Sequence, residues 1–287
     1  MTKNKIIFVD SDGTVMDSMT PKHTYAFGPA FVKTFELEKY EKEVLEEWNR
    51  INLYSETRGV NRFDGSYMML QYVDKNFKRI DFLDDYQAWL KSTSEKSNKA
   101  LKDYIEETKQ ESLKKVLNWS ILTNELIDKN KDKVFPFSSA VKALEVLSKK
   151  YTIIIISSAN GKAVEDEWKK FDVMKYTNEV CTQELGTKEV CISKMLQKYQ
   201  PTHALMKGDA LGDLDSAIHN AINFYPIKPK LENESWNLLL DTYEKKFYQN
   251  NYLLIQNEIN TDFKNYLKGW CIWLIKCYIL SLLPQEA

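Results

Sequence analysis

Two carboxylates one residue apart, Asp10 and Asp12, close an apolar run, Ile6-Ile7-Phe8-Val9, and are followed by Gly13-Thr14. The run reads as a buried strand, because its residues are apolar throughout and mostly β-branched. Asp10 and Asp12 share the strand's parity, so before the chain turns their side chains project the same way. Carboxylates that close repel each other unless something neutralises them. A hard divalent cation does so readily, since it prefers oxygen ligands. Gly13 permits a sharp turn just beyond the strand. Taken alone, the segment also fits an acidic, solvated turn.

Three later segments carry similar chemistry. Thr152-Ile153-Ile154-Ile155-Ile156 reads as a second buried strand and ends in Ser157-Ser158-Ala159-Asn160-Gly161. Its hydroxyls stand at the C-terminal end of a strand, where open parallel sheets bind ligands. Gly186-Thr187-Lys188-Glu189 opens an amphipathic stretch that continues through Val190, Ile192, Met195 and Leu196. Ala204-Leu205-Met206-Lys207 leads into Gly208-Asp209-Ala210-Leu211-Gly212-Asp213, a strand followed by two carboxylates four residues apart.

In this order the four segments resemble the haloacid dehalogenase superfamily, whose signature is strand-DxDGT, strand-Ser/Thr, a lysine opening a helix, and strand-GDxxxD. The resemblance implies an α/β fold, with a Rossmann-like parallel-sheet core and an inserted α-helical cap. It implies a Mg²⁺-dependent phosphatase that hydrolyses a small phosphorylated metabolite through an aspartyl-phosphate. On that reading Asp10 is the nucleophile, and Asp12 protonates the leaving alcohol and then activates water. Ser157 holds a phosphoryl oxygen, and Lys188 offsets charge on the nucleophile and the transferring group. Mg²⁺ is held by Asp10, the Asp12 backbone carbonyl and Asp209, while Asp213 anchors water ligands or orients Lys188. Ser158 and Asn160 are further substrate-binding candidates, and Lys207 is read as neutral to function. Asp12 argues against the metal-free 2-haloacid dehalogenases and the phosphonoacetaldehyde hydrolases. The DKTGT sequence of P-type ATPases is absent.

One more segment, Thr57-Arg58-Gly59-Val60-Asn61-Arg62, resembles the cap of β-phosphoglucomutase-like members. There a Gly-x-x-Arg arginine reaches a substrate phosphate. Arg62 matches that position and Arg58 lies nearby; a guanidinium fork suits an anion. An ordinary ion pair within the cap is the competing reading. Two alternatives to the phosphatase therefore stand: a phosphomutase, and a non-catalytic interaction protein on the same fold.

The elements that must position these residues follow from the alternation of strand and helix patterns. Strands are expected at 5–9, 152–157, 178–182, 203–207 and 222–226, with helices at 138–150, 161–171, 188–199 and 213–220. Ser138 or Ser139 is the expected cap of the first of these helices. The expected domains are a core of 1–17 with 134–230, a helical cap of 18–133, and a helical C-terminal extension of 231–287.

The chain has 287 residues and a net charge of −1, so no global field favours nucleic acid or an anionic membrane. Its four cysteines show no CxxC spacing, and the first strand begins too early to leave room for a targeting segment. Both features suggest a reduced, cytoplasmic protein. The apolar run 269–283 contains Lys276 and falls short of the ~20 apolar residues a membrane span needs. It reads as a helix packed on the core or on a partner, a second copy included, with contact to a lipid surface as the lesser alternative.

Overall fold

The first apolar run forms strand β1 (Lys5–Val9), and its last four residues are buried. The structure is a computed structural model that describes residues 4–281, with side chains through residue 269. After β1 the chain makes a tight turn into β2 (Met16–Asp17), then passes through α1 (Met19–Lys22). There follow α2 (Gly28–Phe35), α3 (Glu41–Leu53), α4 (Arg62–Asn76), α5 (Leu83–Ser92), α6 (Asn98–Thr108) and α7 (Lys114–Lys129). Strand β3 (Phe135–Pro136) pairs antiparallel with β2. Helices and strands then alternate: α8 (Ser138–Ser148), β4 (Thr152–Ile156), α9 (Gly161–Lys170), β5 (Glu179–Cys181), α10 (Lys188–Tyr199), β6 (His203–Gly208), α11 (Leu211–His219) and β7 (Asn223–Pro226). The chain continues through α12 (Glu232–Leu238), α13 (Glu244–Tyr248) and α14 (Leu253–Ser281). Two compact units result: Met1–Met19 with Val134–Ala287, and Thr20–Lys133.

The sheet unit holds a five-stranded sheet in the order β5-β4-β1-β6-β7, with every pairing parallel. The connections run outward from β1 on one side through β4 and β5, then on the other through β6 and β7. The winding direction therefore reverses at β1, and in open parallel sheets ligands bind at the strand C-termini beside such a reversal. Both faces are covered, which is why the strands read as unbroken apolar runs. Ile7, Val9, Ile153, Ile155 and Leu205 face one cluster, completed by Leu144 of α8, Trp168 of α9 and Trp236 of α12. Ile6, Phe8, Ile154, Ile156 and Met206 face the other, completed by Ile192 of α10, Leu214 of α11 and Phe263 of α14. Trp236, Leu239, Phe247, Tyr252, Phe263 and Leu267, all beyond residue 231, thus belong to the core of this unit.

The serine cap expected for α8 does not form. Phe137 occupies the capping position, and both serines lie inside the helix. The acceptor comes instead from α12: Asn233 Oδ1 takes the Ser139 backbone N–H at 3.0 Å.

The helical unit packs α2–α7 around Phe31, Trp48, Phe63, Trp89 and Trp119. Phe31 lies edge-on to Trp119, and so does Phe63. Much of the chain's aromatic content is spent in this core. A single π-helical turn, His23–Phe27, precedes α2.

From residue 270 onward the apolar run 269–283, and any self-association through it, lies outside the residues with described side chains. Among the described residues, no helix is long and apolar enough to cross a membrane.

Candidate active site

The site is built at the reversal point of the sheet, where β1 and β6 end side by side. Asp10 follows β1 directly, and its N–H donates to the Lys207 carbonyl at 3.0 Å, the last rung of the β1–β6 ladder. The chain then turns. The Ser11 carbonyl accepts from Thr14, Val15 and Met16 N–H at 3.3, 3.0 and 2.9 Å. Gly13 takes φ +75°, a conformation that strains any residue with a side chain. The Asp12 carboxylate accepts a hydrogen bond from the Ser18 hydroxyl. Two buried indoles hold the turn: Trp168 Nε1 donates to Ser11 Oγ and Trp236 Nε1 donates to the Thr14 carbonyl, each at 2.9 Å.

Asp209 and Asp213 approach from β6 and α11. Asp213 folds back over the strand end, and its Oδ2 accepts the N–H groups of Asp209 at 3.2 Å and Ala210 at 3.1 Å. This return explains Gly208: a Cβ there would stand 2.2 Å from Asp213 Cγ and 2.3 Å from its Cβ. Thr14 Oγ1 donates to Asp209 Oδ1 at 2.8 Å, tying the two strand ends together. Lys188 opens α10, whose N-cap is Thr187; Thr187 Oγ1 accepts the Val190 N–H at 3.3 Å. The Lys188 ammonium lies 2.9 Å from Asp10 Oδ2 and 2.6 Å from Asp213 Oδ1.

Electrostatics decide what this arrangement needs. Asp10, Asp209 and Asp213 are all buried, and one oxygen of each lies within 4.8 Å of the others. One ammonium pairs with two of these three carboxylates. Burial pushes Asp10 well above the usual carboxylate range, and Asp213 and Asp209 push it further, with Lys188 opposing. Asp213 is raised for the same reasons, burial first and Asp209 next. Burial by itself would favour loss of the Lys188 proton, but Asp10 and Asp213 outweigh it and hold the proton in place. The excess negative charge, carried wholly on oxygen donors, fits a hard divalent cation such as Mg²⁺.

The remaining expected residues fall into different places. Ser157 lies just past the end of β4, next to β1 in the sheet, and its N–H donates to the Cys181 carbonyl at 2.9 Å. Its Oγ accepts the Ala159 N–H at 3.1 Å, which leaves the hydroxyl hydrogen able to donate. Ser158 is exposed. Asn160 is engaged at the N-cap of α9, where its Oδ1 accepts from Ala163 N–H and its Nδ2 donates to Glu184 Oε1. Arg58 and Arg62 belong to the helical unit. Arg58 is buried, and its Nη1 donates to the Leu53 carbonyl at 2.7 Å. Arg62 Nη1 donates to Asn124 Oδ1 at 2.6 Å and Ser120 Oγ at 3.2 Å, and the guanidinium lies 5.0 Å from the Phe27 ring centre. These partners are all neutral. Burial lowers the Arg62 pKa from its usual value.

Ser18, Trp168 and Trp236 also support the site and were missed in the sequence, where Thr14 stood in the motif without a role and Lys207 was read as neutral to function. Lys207 is wholly buried, its Nζ has no hydrogen-bond partner among the described residues, and it lies 4.9 Å from the Trp236 ring centre.

The sequence profile of the haloacid dehalogenase-like hydrolases matches residues 60–227, more than half of the chain. The chain belongs to that family. The matched span starts after Asp10–Thr14. No curated protein matches the sequence. Among solved structures, a Lactobacillus delbrueckii subsp. bulgaricus protein, assigned provisionally as a phosphoglycolate phosphatase, is similar at 14% identity and TM-score 0.50. The likeness covers 79% of this chain and 86% of that one. A haloacid dehalogenase-like hydrolase from Streptococcus pneumoniae aligns at 16% identity and TM-score 0.47, over 82% of this chain and 92% of the other. At 14% identity the likeness to the Lactobacillus protein is one of fold alone.

Proposed function

We propose that the protein is a Mg²⁺-dependent phosphomonoesterase acting through an aspartyl-phosphate on Asp10. The observation that supports this most is the cluster of three buried carboxylates at the sheet's reversal point, two of them paired with Lys188. Asp10, Asp209 and the Asp12 carbonyl would hold Mg²⁺, which would supply positive charge to the phosphoryl oxygens. Asp10 attacks phosphorus, its carboxylate forming a new P–O bond as the ester P–O bond breaks. Asp12 gives its proton to the departing alkoxide. Asp12 then takes a proton from water as that water attacks the aspartyl-phosphate, releasing phosphate and restoring Asp10. The Ser157 hydroxyl donates to a phosphoryl oxygen. Lys188, kept charged by its two carboxylate neighbours, offsets the charge that builds on the phosphoryl group.

Purified protein is expected to hydrolyse an aryl phosphate with Mg²⁺ and to stop in EDTA. Asp10→Asn is expected to abolish turnover while circular dichroism stays native. Turnover surviving in that variant would overturn the covalent route.

We assign the helical unit the role of the family's cap, and Arg62 the task of holding a second anionic group of the substrate. The guanidinium has no carboxylate partner among the described residues, so its charge is available for an incoming anion. Arg58 is not given this role, because it is buried and lies outside the Gly-x-x-Arg position that Arg62 matches. Losing a charged hydrogen bond costs about 1.5–3 kcal/mol, so Arg62→Ala should raise KM about tenfold or more for substrates with a second anionic group. A small aryl phosphate should be affected far less. Equal effects on both would make Arg62 structural.

A further inference from the structure

Trp236 stands 222 residues from Thr14 in sequence, yet its Nε1–H donates to the Thr14 carbonyl in a buried contact at 2.9 Å. Thr14 in turn donates its hydroxyl to Asp209 Oδ1 at 2.8 Å. The indole comes from α12, outside the span matched by the family profile. Helix α12 is itself fixed at several points. Asn233 accepts from Ser139, Ser235 Oγ accepts the Lys228 N–H at 3.0 Å, and the Ser235 carbonyl accepts the Tyr225 hydroxyl at 2.7 Å. The ring is wholly buried, with Lys207 Nζ 4.9 Å from its centre. Packed this closely, the indole N–H has one direction in which to point, and that direction is the turn after Asp12.

We infer that Trp236 is a positioning residue for the cation site. By holding the Thr14 carbonyl it fixes the peptide that carries the Thr14 hydroxyl, and through that hydroxyl the orientation of Asp209. Groups that hydrogen-bond to a metal-binding carboxylate set its direction, and their loss weakens metal affinity by ~10–100-fold. Trp236 acts one bond further out, so an effect at the lower end of that range is expected. The inference rests on the Mg²⁺-dependent phosphatase reading.

The test is the Mg²⁺-induced rise in melting temperature of the full chain, with the Mg²⁺ concentration for half-maximal aryl phosphate hydrolysis as a second readout. Trp236→Phe and Trp236→Leu both remove the N–H but leave different cavities. Both should need about tenfold more Mg²⁺ for the same thermal shift, while differing from each other in metal-free melting temperature. Raising Mg²⁺ should restore turnover in both variants toward the wild-type value, which a loss confined to the chemical step would not allow. Thr14→Val should show a loss at least as large, and adding Trp236→Phe to it should change the Mg²⁺ response no further. Variants that melt earlier but keep the wild-type Mg²⁺ response would overturn the inference and leave Trp236 a packing residue. If the single Trp236 variants do not fold, Trp236→Phe with Lys207→Met removes the ammonium that leans on the ring. The same comparison is then made against Lys207→Met alone. A wild-type protein with no Mg²⁺ response in melting or turnover removes the phosphatase reading itself. A responsive wild type with an unchanged Trp236→Phe removes only the inference.

Discussion

Lys207 shows how much a single side chain can cost where the fold demands a strand. It shares the parity of Leu205 and points into the apolar cluster on that face of the sheet. Burial lowers its pKa well below the usual lysine value, with Glu244 opposing only in part. The face of Trp236 recovers some of the lost hydration. Because the folded-state pKa is depressed, the unfolded chain binds more protons between that depressed value and the ordinary value near ~10.4. Stability therefore rises with pH across this window and is lost as pH falls back through it. Lys207→Met should raise the melting temperature at pH 7 by ~5 °C, the shift that about 2 kcal/mol produces in a domain of this size. The gap between variant and wild type should close as the pH approaches ~10, which calorimetry at several pH values would reveal. A gap that stays constant with pH would mean the gain comes from packing alone.

Among the elements, the five sheet strands were legible because strands covered on both faces must be apolar throughout. Thr152–Ile156, buried at every position, is the clearest case. The acidic and basic residues of the site were legible for a related reason. Asp10 and Asp209 directly follow such strands, and Lys188 and Asp213 lie in the first turns of the helices α10 and α11, so the element patterns locate them. What stayed hidden were contacts whose two halves lie far apart in sequence. Nothing near Ser138 signals that Asn233 of α12 will cap α8. Nothing near Thr14 signals Trp236, and the two-residue strands β2 and β3 are too short to show any period. The cap borrowed from α12 can be tested. Asn233→Ala should cost about 1 kcal/mol in urea unfolding, the usual effect of losing an N-cap acceptor. Ser138→Ala should cost much less, since that hydroxyl caps nothing; a larger loss from Ser138→Ala would reverse the assignment.

At the scale of the whole molecule, the two units differ in how their sequence is arranged. The helical unit is one continuous stretch, Thr20–Lys133, with its own aromatic core. The sheet unit is assembled from both sides of that stretch. A fragment of residues 20–133 should therefore show native helical circular dichroism and a cooperative melt by itself. Residues 1–231 should not melt cooperatively as a sheet unit, because Trp236, Leu239, Phe247 and Tyr252 would be missing from its core. A cooperative sheet transition in the 1–231 fragment would contradict this.

The buried bond from Trp236 to Thr14 also sets an order in time. During synthesis the turn that carries Asp10 and Asp12 leaves the ribosome well before α12 is made. One of its anchors, Trp236, is made 222 residues later. At ~5–20 residues per second the delay between the two is at least about ten seconds. The helical unit has time to form in that interval, while the nascent β1 waits for β4 and β6. Those carboxylates, made long before their anchor, thus reach their working positions late, so a chain cut short before α12 carries the acidic signature without the clamp that holds it in place.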